Sequence, residues 1–203
     1  MAELVLLGTE RSHFTRKVRL LMDHLGLDYD MVDIGNVAEA DQSLFGENPL
    51  MVVPVLRAAG RDLYDSDNIA RWLVGRYDPD DRFCVLASTV DAMNLHAVMN
   101  GMMSAEVKLV LSARTGLEPA GVPYFEKARE VLAAGMTWLA SRADAFTPAK
   151  PGWKEFHFIS LWDHMTVCDL VPGNWPDLEA LAETLRGHEL IARSAPPGLE
   201  AHC

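Results

Sequence analysis

Cysteine is scarce in this 203-residue sequence: Cys84, Cys168 and Cys203 stand far apart, with no Cys-x-x-Cys spacing. A disulfide framework or a zinc site is therefore a poor reading, and free thiols in a reducing cytoplasm fit better. No run reaches the roughly 18–20 apolar residues that a membrane-spanning helix needs, so no membrane partner is expected. The opening MAELVLLG has neither a basic flank nor a small-residue cleavage site and does not read as a signal peptide. Asn-x-Ser/Thr sequons are absent. Basic residues are outnumbered, 18 Lys and Arg against 29 Asp and Glu, for a formal net charge of -11. Nucleic-acid binding usually leaves the opposite footprint, so no nucleic-acid partner is expected. The seven histidines show no His-Glu-x-x-His or comparable ligand spacing, so no metal is expected.

What the chain does have is apolar substance, 49% of its residues, enough to pack a core. Glu3 to Leu7 reads as a short buried strand. From Ser12 the period changes, with Phe14, Val18, Leu21, Met22 and Leu25 at helical spacing and Arg16, Lys17 and Arg19 between them. Gly26 stands where a helix C-terminal glycine is expected. Asp28 to Ile34 alternates as a strand, Ala38 to Phe45 has helical composition, and Asn48-Pro49 is a turn signal. Val52 to Leu56, with Pro54 at its start, and Arg61 to Tyr64 read as two more strands. A helix from Ser66 carries Ile69, Ala70, Leu73 and Tyr77 on one face.

The order β-α-β-α-β-β-α closes at Asp78-Pro79-Asp80-Asp81, a polar, proline-bearing boundary. Beyond it strand signals vanish. Val90 to Ala105 forms a long helical stripe, Gly116 to Pro123 breaks it, and a second helix spans Tyr124 to Arg142. Thr147 to Trp153 is a loop, and helices follow at about Leu161–Leu170 and Leu178–Leu190. The expected organisation is a small α/β domain over residues 1–78, a linker over 79–87 and an all-α domain over 88–203.

Several positions admit a purely structural reading. Ser12 stands at a helix N-cap, a role worth about 1 kcal/mol. Pro54 is acceptable in trans at a strand start. Asp65 and Ser66 make a capping pair, with Ser66 as the cap, and a helix N-terminus is also an anion site. Ser160-x-x-Asp163 reads as a capping box before an apolar helix. Met93, Met99, Met102 and Met103 at helical spacing read as core. His13 reads as a solvent-facing first-turn residue.

Four motifs go further. Gly8-Thr-Glu-Arg-Ser-His-Phe-Thr-Arg-Lys-Val-Arg19 resembles the first strand-to-helix turn of glutathione S-transferases of the bacterial serine/cysteine type. Asn48-Pro-Leu-Met-Val-Val-Pro-Val-Leu56, Leu63-Tyr-Asp-Ser-Asp-Asn-Ile-Ala70 and Ile159-Ser-Leu-Trp-Asp-His-Met-Thr-Val-Cys168 resemble three later signatures of that family, and the segment from Trp175 resembles its closing helix.

The resemblance implies a thioredoxin-like N-terminal domain that binds glutathione and an all-α domain that holds an apolar electrophile. Ser12, with Thr9 as second candidate, would face the glutathione sulfur. The Val53-Pro54 bond would be cis, with the Val53 backbone pairing to the cysteinyl part. Asp65 would bind the γ-glutamyl ammonium and Ser66 the carboxylate. Asn100, Met103 and Val107 would contact the electrophile, and Ser160 and Asp163 would nucleate a buried helix.

Ser12-His13-Phe14-Thr15 occupies the place of the Cys-x-x-Cys of glutaredoxins and carries neither cysteine, which argues against dithiol exchange. The proline common after the catalytic residue is here His13. A homodimer, cytoplasmic, is implied as well. Two alternatives stay open: a glutathione-dependent isomerase, dehalogenase or ether-cleaving lyase, and a non-catalytic regulator that keeps the fold.

Overall fold

The computed structural model describes residues 3–86, 88–117 and 120–196. The chain divides into two compact units, Met1–Leu86 and Ala87–Cys203.

The first unit is built on a four-stranded sheet of order β2-β1-β3-β4, with β1 (Leu4–Gly8) parallel to β2 (Asp30–Asp33) and antiparallel to β3 (Val55–Ala58), which pairs with β4 (Arg61–Tyr64). Leu4, Leu6 and Leu7 are all buried, the pattern of an interior strand covered on both faces, whereas edge strand β2 exposes Asp30 and Val32. Helix α1 (His13–His24) follows β1, and α2 (Ser66–Tyr77) follows β4 and packs beside α1. Gly26 ends α1 in the left-handed region at φ 67°, its N–H bonded to the Asp23 carbonyl.

The expected helix over Ala38 to Phe45 shrinks to one 3-10 turn, Gln42–Phe45. Asp41 takes the Ser43 N–H and hydroxyl on one carboxylate oxygen, which favours a local turn over a continued helix. Gly46, at φ 62°, then ends it, and a Cβ there would lie 2.0 Å from a carboxylate oxygen of Asp62.

The second unit is helical: α3 (Val90–Arg114), α4 (Pro123–Ala140), α5 (Trp153–Val167), α6 (Pro176–Arg186) and the short α7 (Glu189–Arg193). Met99, Met102 and Met103 are buried in its core, as their spacing suggests, while Met93 is exposed. Helices α3 and α4 approach closely at Gly135, where a Cβ would meet the Met102 sulfur at 2.4 Å.

Helix α5 starts a full two turns before the expected capping box. Its N-cap is Gly152, and Glu155 at the third helical position accepts from the Gly152 and Thr147 N–H groups. Ser160 and Asp163 therefore lie inside the helix and cap nothing. Ser160 returns its hydroxyl to the Phe156 carbonyl, and Asp163 pairs with Arg186 of α6 at 2.5 Å. The early start escapes periodicity because Trp153 to Met165 is buried almost all round, so no polar face marks the helix. The expectation of free thiols holds at exposed Cys84, but Cys168 takes part in a disulfide; Cys203 lies outside the described residues.

Candidate functional site

Strand register gathers three sequence motifs at one end of the sheet. Leu7 near the end of β1 is opposite Val55 at the start of β3, and Val55 is opposite Tyr64 at the end of β4. The turn Gly8–Ser12, the dipeptide Val53-Pro54 and the pair Asp65-Ser66 leave the sheet from that same end. Thr9, Ser12, Val53, Pro54, Asp65 and Ser66 are thus brought together.

Ser12 is the N-cap of α1. Its backbone N–H bonds to the Thr9 carbonyl at 3.1 Å, and its hydroxyl oxygen accepts from the Thr15 N–H at 3.2 Å. An oxygen used as acceptor keeps its own O–H to donate outward. Gly8 permits the tight entry, because a Cβ there would lie 2.5 Å from the Thr15 methyl. His13 is 3% exposed, not solvent-facing as expected; its ring lies 4.8 Å from that of Phe14.

The Val53–Pro54 bond is cis. Pro54 is buried, Val53 is half-buried, and both stand just before the β3 ladder begins. The loop leading to them is pinned by buried Asn48, whose side chain donates to the Val52 carbonyl and accepts from the Leu50 N–H. The sequence offered a turn and a family-like signature there, but not this pinning by the Asn48 side chain.

At α2 the cap is Asp65, not Ser66. Its carboxylate accepts from the Asp67 and Asn68 N–H groups at 3.1 and 3.0 Å, and Ser66 is the first helical residue. Asp shares the short, acceptor-bearing side chain that makes a good cap, which leaves the serine one step inside. Asp65 holds φ 75°, ψ 124°, a conformation that costs an ordinary residue about 1–3 kcal/mol and that clusters at functional sites.

Sequence patterning missed Lys17 and Arg16. Both are fully buried, although they lie between the apolar positions of α1. Lys17 Nζ reaches Asp67 Oδ1 of α2 at 2.9 Å. Burial pushes the Lys17 ammonium below its usual range, opposed by Asp67 and, more weakly, Asp65. The signal available in sequence was the acidic pair flanking Ser66, which calls for a cation, but nothing local says which helix supplies it.

The remaining candidates belong to the second unit. Asn100, Met103 and Val107 lie at i, i+3 and i+7 on one face of α3, with Met103 buried and the other two half-buried. Ser160 and Asp163 are interior to α5 and remote in role from any cap.

A β-α-β-β-β-α unit whose converging loops carry a cis-proline and two capped helix N-termini is a thioredoxin-like fold. Residues 6–81 match the family model described as glutathione S-transferase, N-terminal domain. The match places residues 6–81, most of the sheet unit, in that domain family. A comparison with curated proteins found no match. Among solved structures, the chain is similar to a glutathione S-transferase of Methylobacterium radiotolerans in complex with glutathione sulfonate, at 22% identity and TM-score 0.77, over 95% of this chain and 94% of that one. It is also similar to one of Methylobacillus flagellatus with glutathione bound, at 21% identity and TM-score 0.77, over 95% and 99% of the two chains. A third is a maleyl pyruvate isomerase described as a bacterial zeta-class enzyme, at 15% identity and TM-score 0.73, over 95% and 96%. At these identities the likeness speaks for the fold.

Proposed function

We propose that the chain binds reduced glutathione at the converging end of the sheet and adds its thiolate to an apolar electrophile. The observation that carries the reading is the register Leu7–Val55–Tyr64, which puts the two helix N-termini and the cis-proline side by side. The glutathione sulfonate and the glutathione bound in the two similar bacterial structures support it.

Each part has a physical task. The Val53 backbone pairs with the cysteinyl segment as an added strand would. Ser66 and the α2 N-terminus hold the γ-glutamyl carboxylate, which the helix dipole favours, and the Asp65 carboxylate faces the ammonium. Lys17 offsets the charge of Asp67, so that two acids flanking Ser66 do not repel the incoming carboxylate. Ser12, already a cap through its oxygen, donates its O–H to the sulfur, and the α1 N-terminus favours thiolate over thiol. Thr9 is the second hydroxyl that could fill this role. Glutathione is itself the nucleophile, so no protein base is needed. Half-buried Asn100 and Val107 of α3 are the candidates to contact the electrophile, with Met103 packed in the core beneath them. Two copies associate as a homodimer, with exposed Val90 and Met93 of α3 among the apolar residues available for the contact.

The test is calorimetric titration with glutathione, followed by an assay with a chlorodinitrobenzene-type electrophile. Saturable binding with turnover supports transfer. Binding without turnover on any such electrophile points instead to an isomerase, lyase or regulatory role.

A further inference from the structure

The helical unit contains a cavity of about 200 Å³ between the end of α5 and the start of α6. Its apolar walls are Trp162, Met165 and Trp175, and two acids, Asp169 and Glu179, also line it. Trp162 and Met165 are nearly buried, so this wall is fixed by the core. The Trp175 indole packs against Gly173, where a Cβ would meet ring carbons at 2.2 and 2.5 Å, so the glycine is what lets the indole reach that position.

No lysine or arginine lines the cavity, and among the described residues neither Asp169 nor Glu179 is in an ion pair. Asp169 is held at φ 45°, outside the range a non-glycine residue ordinarily adopts. Helix α5 ends beside it with the carbonyl end of its dipole, which favours positive charge. The opposing N-terminus of α6 is met by its own first-turn acids, Asp177 and Glu179.

From these features we propose that the cavity binds a small organic cation with an apolar shell, of the alkylated-ammonium class. Indole faces attract such a cation through the ring quadrupole, and the thioether accommodates its methyl groups. The carboxylates complement its charge without having to coordinate it. The volume lies below the roughly 300–1,000 Å³ of drug-sized sites, which limits the ligand to a few heavy atoms.

The experiment titrates the full chain, by tryptophan fluorescence and calorimetry, with three probes of nearly one shape: choline, neutral 3,3-dimethylbutanol and anionic 3,3-dimethylbutyrate. Choline should saturate at millimolar levels and bind about tenfold or more tighter than the alcohol, with no binding of the acid. Glu179→Gln, an exposed change, should weaken choline about threefold or more, and Trp175→Leu about tenfold. If Trp175→Leu fails to fold, Glu179→Gln decides alone. Equal binding of choline and the alcohol, preference for the acid, no saturation by ~100 mM choline, or unchanged affinity in both variants would each overturn the assignment. Glutathione binding plays no part in the readout, so the proposal stands or falls independently of the transferase reading.

Discussion

Ser12 carries two roles that can be separated by choice of substitution. Loss of a serine cap to alanine costs about 1 kcal/mol, whereas glycine at the same position costs only a few tenths. Ser12→Gly should therefore keep most of the thermal stability and lose most of the turnover, while Ser12→Ala loses both. Thermal melts beside initial rates check this. If Ser12→Gly stays active while Thr9→Val is dead, the sulfur contact belongs to Thr9.

Lys17 invites a second separation. Its folded-state affinity for a proton is lowered by burial, so as pH falls below the ordinary lysine value of 10.5 the unfolded chain takes up the proton first. Burial of the ammonium is therefore a cost at neutral pH and disappears above that range. Replacing a buried ion-pair member with an apolar residue of similar length is often neutral or stabilising, by ~1–4 kcal/mol, and here the Asp67 left behind is partly exposed. Lys17→Met should fold at least as well as the parent and yet raise KM for glutathione about tenfold, with kcat little changed. Michaelis profiles in glutathione test the split; an unchanged KM would remove Lys17 from the binding site. None of this was legible from periodicity, which assigns Arg16 and Lys17 to solvent because α1 alone does not reveal α2 lying beside it.

At the scale of elements, the sequence was most readable where a local rule coincided with tertiary need. Ser12 capping α1, Gly26 ending it and Arg61 to Tyr64 forming β4 are such cases. It misled where two local rules competed. Asp65 and Ser66 both qualify as caps, and Asp65 wins through two N–H bonds at a strained φ. Ser160 and Asp163 spell a capping box, but α5 is apolar enough on every side to start at Trp153.

The helical unit also buries a pair that no motif announces. Glu106 of α3 and His164 of α5 meet at 2.6 Å, both nearly inaccessible. Burial raises the Glu106 carboxyl above its ordinary 4.5, and His164 opposes that. A carboxyl raised in the folded state contributes stability that is full below its unfolded value and lost as pH rises through the folded one. His164→Leu removes the opposing partner. It should cost about 3–5 kcal/mol near pH 8 and distinctly less near pH 5, while Glu106→Gln stays within about 1 kcal/mol of the parent. Urea melts at the two pH values check the sign; equal losses at both would show that Glu106 does not carry the charge.

For the whole molecule, the division into a sheet unit and a helical unit follows from composition, since strand signals stop at Asp78 to Asp81 and helical ones take over. What composition withholds is convergence. The separation of Ser12, Pro54 and Asp65 along the chain says nothing of the register that lines up Leu7, Val55 and Tyr64. Association is a property of the same scale. Light scattering should give twice the chain mass, and Val90→Glu with Met93→Glu should return the monomer; a dimer unaffected by both would place the contact elsewhere.

Glutathione binding at the Asp65 site is the most direct measurement. Calorimetric titration of the parent should show one saturable glutathione site per chain, lost or weakened at least about tenfold in Asp65→Ala, since a charge-assisted contact contributes about 1.5–3 kcal/mol. Asp65 also caps α2, so Asp65→Gly, which keeps a tolerable cap and accepts a positive φ, should fold like the parent and still lose the ligand. No heat of binding to the parent at millimolar glutathione, or full affinity in both variants, would contradict the assignment.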